Sequence, residues 1–293
     1  MPRFIYRELD PPPAVKARFE QWLERLDQKF TQHRSYEKRS EIVRDALQLL
    51  FTPHVPTRSG LDSATDSLLE LSFDPRHITL EPEYYGDVDV RRYNERKPLI
   101  YFWQMFDRSP LGLNHWLGFR LRAMLGKHIF KHIGENVKIF HNVEFSFGYN
   151  LIIEDDCTIH KNVLLDDRGG IILHRGSSVS DYANIYSHTH DIHDQSDVTN
   201  KVTEIGPFAR ITYHATVLAG SRIGEDAMLG AMGIATKDVA AHVVSVGIPA
   251  KTVRTKDLGP RFQSFLPSAS RITKTPETGP RRNHRLVAEE INA

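Results

Sequence analysis

Between Ile185 and Ile205 the chain reads Tyr186-Ser187-His188-Thr189-His190-Asp191-Ile192-His193-Asp194-Gln195-Ser196-Asp197, which sets three histidines beside three aspartates. Imidazole titrates near neutrality, so such a histidine suits a base that takes a proton from an incoming hydroxyl or amine. The set His188, His190 and His193, with its neighbouring carboxylates, also carries the donor atoms a divalent metal would use. The plainest reading is a polar, exposed loop. A second acidic pair, Asp166-Asp167, lies twenty residues upstream of the Tyr186-Ser187 step.

What positions these residues is a repeat. From Ile133 onward an aliphatic side chain recurs every sixth residue at Ile133, Ile139, Phe145 and Leu151, then at Ile153, Ile159 and Leu165, and again at Leu173, Val179 and Ile185. Beyond the His/Asp stretch the series runs on through Ile205, Ile211, Val217, Ile223, Leu229 and Ala235. The residue four places after each is mostly small, as at Cys157, Ser177, Ala183, Ala209, Ala215, Ser221, Ala227 and Gly233. A period of six fits neither an amphipathic helix nor an alternating strand. It fits a chain that runs a short strand, turns and repeats, three times per coil, with the aliphatic residue inside a narrow prism. No coil buries its aliphatic face alone, so stability must come from stacking. A stretch that interrupts such a wall has to loop outward, and outward loops are where chemistry is placed. Cys157, by its place in the hexad, reads as a buried filler rather than a nucleophile.

The bulk numbers are permissive. The chain has 293 residues, 40% hydrophobic and 26% charged, with a formal net charge of +1. That is enough apolar content for a packed core. The balance of charge gives no global field to recruit nucleic acid. One cysteine rules out an intramolecular disulfide and suggests a reducing compartment, so a cytoplasmic location is expected. The start of the chain turns polar at once, without the apolar core of a signal peptide, and no apolar run approaches the roughly 20 residues of a spanning helix.

The hexads, the His/Asp interruption and the segments Gly230-Ala231-Met232-Gly233-Ile234-Ala235-Thr236-Lys237-Asp238 and Gly247-Ile248-Pro249-Ala250-Lys251-Thr252-Val253-Arg254 together resemble the hexapeptide-repeat acyltransferases of the maltose, galactoside and xenobiotic acetyltransferase kind. The resemblance covers roughly residues 133–254. It implies a mainly β chain folded as a left-handed parallel β-helix, with acetyl-coenzyme A as acyl donor, no metal, and a homotrimer with sites between subunits. It also implies transfer to a hydroxyl of a sugar or glycan acceptor. Transfer to an amino sugar, or a non-catalytic scaffold, are the rival readings. The family's base follows an Ile-x-Thr/Ser-x-x stretch; Ile185 to Asp191 matches, which puts the base on His190, with His188 as second choice because Asp191 replaces the usual Pro. By position, Tyr213, Gly230 and Ala231 would line the pantetheine arm, and Thr236, Lys237, Lys251 and Arg254 the nucleotide end. Asp166, Asp167 and Asp191 would face the acceptor, although a polar corner is an equal reading of the first two. Arg210 stands where the family often has Trp, and Leu218-Ala219-Gly220 where it has Asn-Pro-Gly. The β-helix carbonic anhydrases hold zinc with three His on the same fold, but their His-Gly-Cys segment has no counterpart here.

Four segments are expected: a helical or irregular extension over 1–97, an amphipathic helix within 98–132, the repeat over 133–254 and a flexible tail over 255–293. Val15, Phe19, Trp22, Leu23, Leu26 and Phe30 fall at helical spacing after Asp10-Pro11, and a second helical stretch spans about 42–51. Residues 52–97 read as loops. The element beginning at Ser109-Pro110 has Leu117, Leu121, Met124, Leu125 and Ile129 on one face and Arg120, Arg122, Lys127 and Lys131 elsewhere. Capping the open end of the coil is its first reading; peripheral membrane contact through 110–132 is the second.

Overall fold

The computed structural model describes residues 9–51, 68 and 71–257. From His132 the chain winds as a parallel β-solenoid of about six turns whose strands stack into three walls. In the first wall Ile133, Ile153, Leu173, Ile205 and Ile223 pair in register, closed by a bridge from Ile223 to Val239. In the second, Ile139, Ile159, Val179, Ile211 and Leu229 align. In the third, Phe145, Leu165, Ile185, Val217 and Ala235 align. These are the hexad residues of the sequence, and from Ile153 to Ala235 each is exposed by no more than 1%. One strand of two or three residues per wall suffices because the burial is shared between coils.

The corners repeat a single device. Asn136, Asn142, Asp156, Asn162, Tyr182, Phe208, His214, Asp226, Met232 and His242 all take left-handed backbone, with φ between 52° and 61°. Asn and Asp tolerate this conformation. The bulky residues there are supported by stacking, as Tyr182 lies flat on His214 with ring centroids 4.9 Å apart. Cys157 is fully buried, with Sγ near the His174 carbonyl and Ser177, and burial pushes its pKa up to about 11. A thiol so held stays protonated at neutral pH, as its place in the hexad implies.

The helices that position the coil are α1 (Pro13–Gln32), α2 (Tyr36–Phe51), α3 (Val90–Asn94), α4 (Lys97–Arg108) and α5 (His115–Ile129). The stretch 98–132 is thus two helices, because the turn Pro110–Leu113 breaks it after Ser109. Leu117, Leu121, Leu125 and Ile129 of α5 are fully buried. They pack on the first coil, while α1 and α4 cover the other side, with Phe19 against Trp116 and Trp22 against Phe102 and Phe106. The membrane reading of 110–132 is therefore corrected: the apolar face is already occupied. Arg122 is corrected with it. Its guanidinium is buried, bonded to the Asp107 carboxylate, to the Ile139 carbonyl at 3.1 Å and to the Gly112 carbonyl at 3.0 Å. Asp107 in turn accepts from the Asn142 N–H at 2.8 Å. The pair thereby joins α4, α5 and the first coil.

Of the stretch read as loops, residues 52–67 lie outside the described residues, and 71–97 carry α3 and two single turns, Pro75–His77 and Glu81–Tyr84. The expected tail lies outside the described residues beyond Asp257. No helix among the described residues is long and apolar enough to cross a membrane.

Candidate active site

The hexad spacing departs from six at three places: eight residues separate Phe145 from Ile153, eight separate Leu165 from Leu173, and twenty separate Ile185 from Ile205. All three fall on the corner between the third and first walls, one above another. The levels are cross-bonded. Asp167 accepts from the Phe147 N–H at 2.7 Å and the Asn150 N–H at 3.2 Å in the level below. Ser187 Oγ accepts from the Gly169 N–H at 2.8 Å, and the Lys201 N–H donates to the Ser187 carbonyl at 2.7 Å. The His/Asp excursion leaves this corner as an antiparallel hairpin, His188–His190 against Val198–Asn200. Its base is pinned where Thr203 Oγ1 donates to the Tyr186 carbonyl at 2.6 Å.

The hairpin carries the two candidate bases in different environments. His188 is half-buried, and its Nδ1 bonds the Asp166 carboxylate, whose other oxygen accepts from Ser146 Oγ at 2.9 Å. His190 is exposed, with Nδ1 2.6 Å from the Gln195 carbonyl. A carbonyl only accepts, so Nδ1 carries the proton and Nε2 is left as the basic nitrogen. The rings meet edge to face, centroids 5.2 Å apart. His193 sits on the exposed tip of the excursion, and its N–H donates to Asp191 at 2.8 Å. Among the described residues no three His, Cys, Asp or Glu side chains converge as a metal-ligand set.

The three aspartates divide. Asp166 is 4% exposed but borders a cavity of about 500 Å³ beside His188. Asp167 is fully buried under the wall; burial raises its pKa to about 6 against the pull of the N–H donors around it. It cannot touch an acceptor, and its expected substrate role is corrected to one of holding the 147–150 turn. Asp191 is turned back on its own loop, where the His193 and Asp194 N–H groups hold its carboxyl below the usual range.

At the last coil, backbone bonds from Ile234 N–H to the Gly247 carbonyl (3.0 Å) and from Ala250 N–H to the Ile234 carbonyl (2.8 Å) lay the two halves of the terminal signature side by side. Thr236, Lys237, Lys251 and Arg254 are exposed there. Ala231 and Tyr213 are exposed on the neighbouring corner, the latter at 57%, and Gly230 is buried against Val246. The third wall thus carries the hairpin after its third strand and Ile234–Ala235 of the terminal signature at its fifth, two strand spacings or about 10 Å further along the stack, while Lys251 and Arg254 lie on the edge strand of the second wall. Sequence reasoning missed Ser146 and the partners of Arg168. Ser146, Asp166 and Tyr186 are twenty residues apart, one coil each, so the register held the signal for Ser146. Nothing local indicated that Arg168 pairs with Asp87 at 2.9 Å and lies over the Tyr85 ring.

The described residues thus form a β-solenoid with a histidine-bearing interruption at one corner and exposed cations along its terminal edge. No family model matches the sequence. The chain is 30% identical over 174 residues to the dTDP-4-amino-4,6-dideoxy-D-glucose acyltransferase of Escherichia coli, covering 48% of this chain and 91% of that one. It is 26% identical over 137 residues to the galactoside O-acetyltransferase of Escherichia coli strain K12, covering 45% and 68%. A solved galactoside acetyltransferase in complex with coenzyme A superposes with a TM-score of 0.52 at 22% identity, over 58% of this chain and 86% of that one. The chain belongs to the hexapeptide-repeat acyltransferases.

Proposed function

We propose that the chain moves an acetyl or other short acyl group from a coenzyme A thioester to a hydroxyl of a sugar or glycan, with His190 as general base. The observation that carries this reading is the His190 ring itself, fixed through Nδ1 by the Gln195 carbonyl and open at Nε2. Nε2 accepts the proton as the acceptor oxygen attacks the thioester carbonyl. The tetrahedral intermediate collapses, the C–S bond breaks, and the leaving thiolate takes the proton back from the imidazolium. Asp166, with Ser146 and His188 around it, offers hydrogen bonds to the acceptor's other hydroxyls.

Tyr213, Gly230 and Ala231 would flank the pantetheine arm, where small residues let it approach the backbone. Thr236, Lys237, Lys251 and Arg254 would meet the nucleotide phosphates, for which exposed cations are the matching groups. A homotrimer and a cytoplasmic site of action go with this reading. A second reading has its own support: His188, oriented by a buried carboxylate, has the geometry of a base and its orienting partner. Transfer to an amine instead of a hydroxyl is favoured by the name of the aminosugar acyltransferase to which the chain is 30% identical.

The test is thiol release from acetyl-coenzyme A with a panel of sugar and aminosugar acceptors. His190→Ala should abolish acceptor-dependent release while keeping the fold. Full activity in that variant, with loss in His188→Ala, moves the base to His188. Activity surviving both removes imidazole catalysis, and no release with the wild-type chain leaves a scaffold.

A further inference from the structure

The cavity beside His188 has two sides of different origin. One is coil: Glu144, Ser146, Asp166, Tyr186 and His188. The other is built wholly from residues that precede the coil, the turn at Glu81–Tyr84 with Tyr85, and Gln104 and Arg108 of α4. This second side is anchored. The buried Lys97 ammonium bonds Glu83 at 2.8 Å, and Glu83 also accepts from the Leu80 N–H at 2.7 Å. Arg168 grips Asp87 with two nitrogens, and Asn200 of the hairpin donates to the same carboxylate at 3.2 Å. The Tyr149 hydroxyl accepts from the Asp89 N–H at 2.9 Å, while Arg92 lies over the Tyr149 ring. Bonds of this kind hold the segment as a wall of the cavity and tie it to the excursion that carries His190.

The cavity does not stop at Glu144. A second one, of about 470 Å³, shares Gln104, Arg108, Glu144 and Leu164 with it and runs on past Asn142, Asn162 and Asn184. The two form one groove between α4 and the third wall. Its chemistry is mixed: amides and carboxylates at the rim, with Pro82, Tyr85, Phe145, Leu164 and Tyr186 among the apolar surfaces. Among the described residues the side chains of Gln104 and Glu144 have no hydrogen-bond partner. The charge count disfavours an anion. Among the described residues that line it, Arg168 is paired with Asp87, and Arg108 shares the cavity with Glu81, Glu144 and Asp166.

Resting on the transferase reading above, we propose that this groove is the acceptor site, and that the N-terminal extension builds it to select an uncharged glycan of at least two sugar rings. One ring lies beside Asp166 and His188 with its reacting hydroxyl toward the hairpin. The next lies along Asn142, Asn162 and Asn184, held by the Gln104 amide and the Glu144 carboxylate. Alternating donors and acceptors over apolar faces suit a pyranose, which has hydroxyls at its edge and C–H groups on its faces. A sugar phosphate would set its charge against three carboxylates.

Saturation-transfer NMR on the full chain tests this without turnover, using maltose, cellobiose and lactose as neutral probes and glucose 1-phosphate as the anionic one. At least one disaccharide should bind with signal on both rings, and glucose 1-phosphate should not. Gln104→Ala should weaken that binding about tenfold, and Gln104→Trp, which fills the groove from an already half-exposed position, should abolish it. Arg108→Ala, on the exposed end of α4, serves as the second variant should the tryptophan disturb folding, and should also weaken binding. Absence of binding by every disaccharide, preference for glucose 1-phosphate, or binding that ignores all three substitutions overturns the proposal. The two readings fail separately. A chain that binds a disaccharide through Gln104 yet releases no thiol keeps the groove and loses the transferase, and the opposite result loses only the groove.

Discussion

The first wall and the hairpin that leaves the third each set a histidine against a carboxylate of the preceding coil, in opposite surroundings. On the first wall, His174 lies between Glu154 at 3.0 Å and Glu204 at 3.4 Å, and Arg222 extends the ladder from Glu204 at 2.6 Å. Burial alone would lower the His174 pKa, but the two carboxylates outweigh it and raise it to about 9. Both ring nitrogens are occupied, and the imidazolium is a structural cation. On the hairpin, His188 and His190 are each held by Nδ1 alone; His188 lines a cavity and His190 is exposed to solvent. Residue type does not separate a strut from a base. The difference is one unengaged nitrogen and a space in front of it.

Exchanging the roles is the strongest way to break this comparison. His190→Ala should lower kcat by about 10²–10⁴, the usual range for loss of a general base, whereas His174→Ala should keep kcat at a temperature where it remains folded. Equal losses in the two variants, assayed by thiol release, would erase the distinction. Next in size is Asp166→Asn against Glu204→Gln. The first should raise the acceptor KM about tenfold or more, on the order of 1.4 kcal/mol of lost hydrogen bonding, with the acetyl-coenzyme A KM unmoved; the second should move neither.

The ladder also predicts a pH dependence. His174 has its folded pKa raised from 6.5 to about 9, so its contribution is complete below pH 6.5 and is lost as pH rises through 9. Glu204 has its folded pKa lowered from 4.5 to about 2, chiefly by the His174 hydrogen bond, so its share is present above pH 4.5 and is lost as pH falls toward 2. Denaturation of wild type and His174→Gln should therefore differ by about 1–3 kcal/mol near pH 6, and the gap should narrow by pH 9.5. A gap independent of pH would assign the ladder to packing alone. The smallest effect belongs to neither wall's chemistry. Cys157→Ala should leave turnover intact and cost about 1 kcal/mol or less, and the native thiol should resist alkylation until the coil unfolds.

The coil was legible because its signal is local and repeated: each hexad places one aliphatic residue inward whatever its neighbours do. The irregularities were legible as well. Spacings of eight, eight and twenty after Phe145, Leu165 and Ile185 put all three excursions on one corner, and that corner is the candidate site. Asp166 and Asp167 were not separable, since Asp166 ends its strand and the next residue turns the other way, so one carboxylate reaches the cavity while the other is buried beneath it. Arg122 reads as a surface charge on an amphipathic helix until Asp107, fifteen residues away, is brought against it.

Period and composition by themselves thus determined the prism, its filler residues and the place where the wall opens. Only the tertiary structure decided which imidazole nitrogen is free, which aspartate lies beneath the wall, and that the extension walls the groove beside them. The physical reason is range. A stacking core is specified by contacts that recur at every coil, whereas a site is specified by single contacts, such as Arg168 to Asp87 eighty-one residues away, that no periodicity announces.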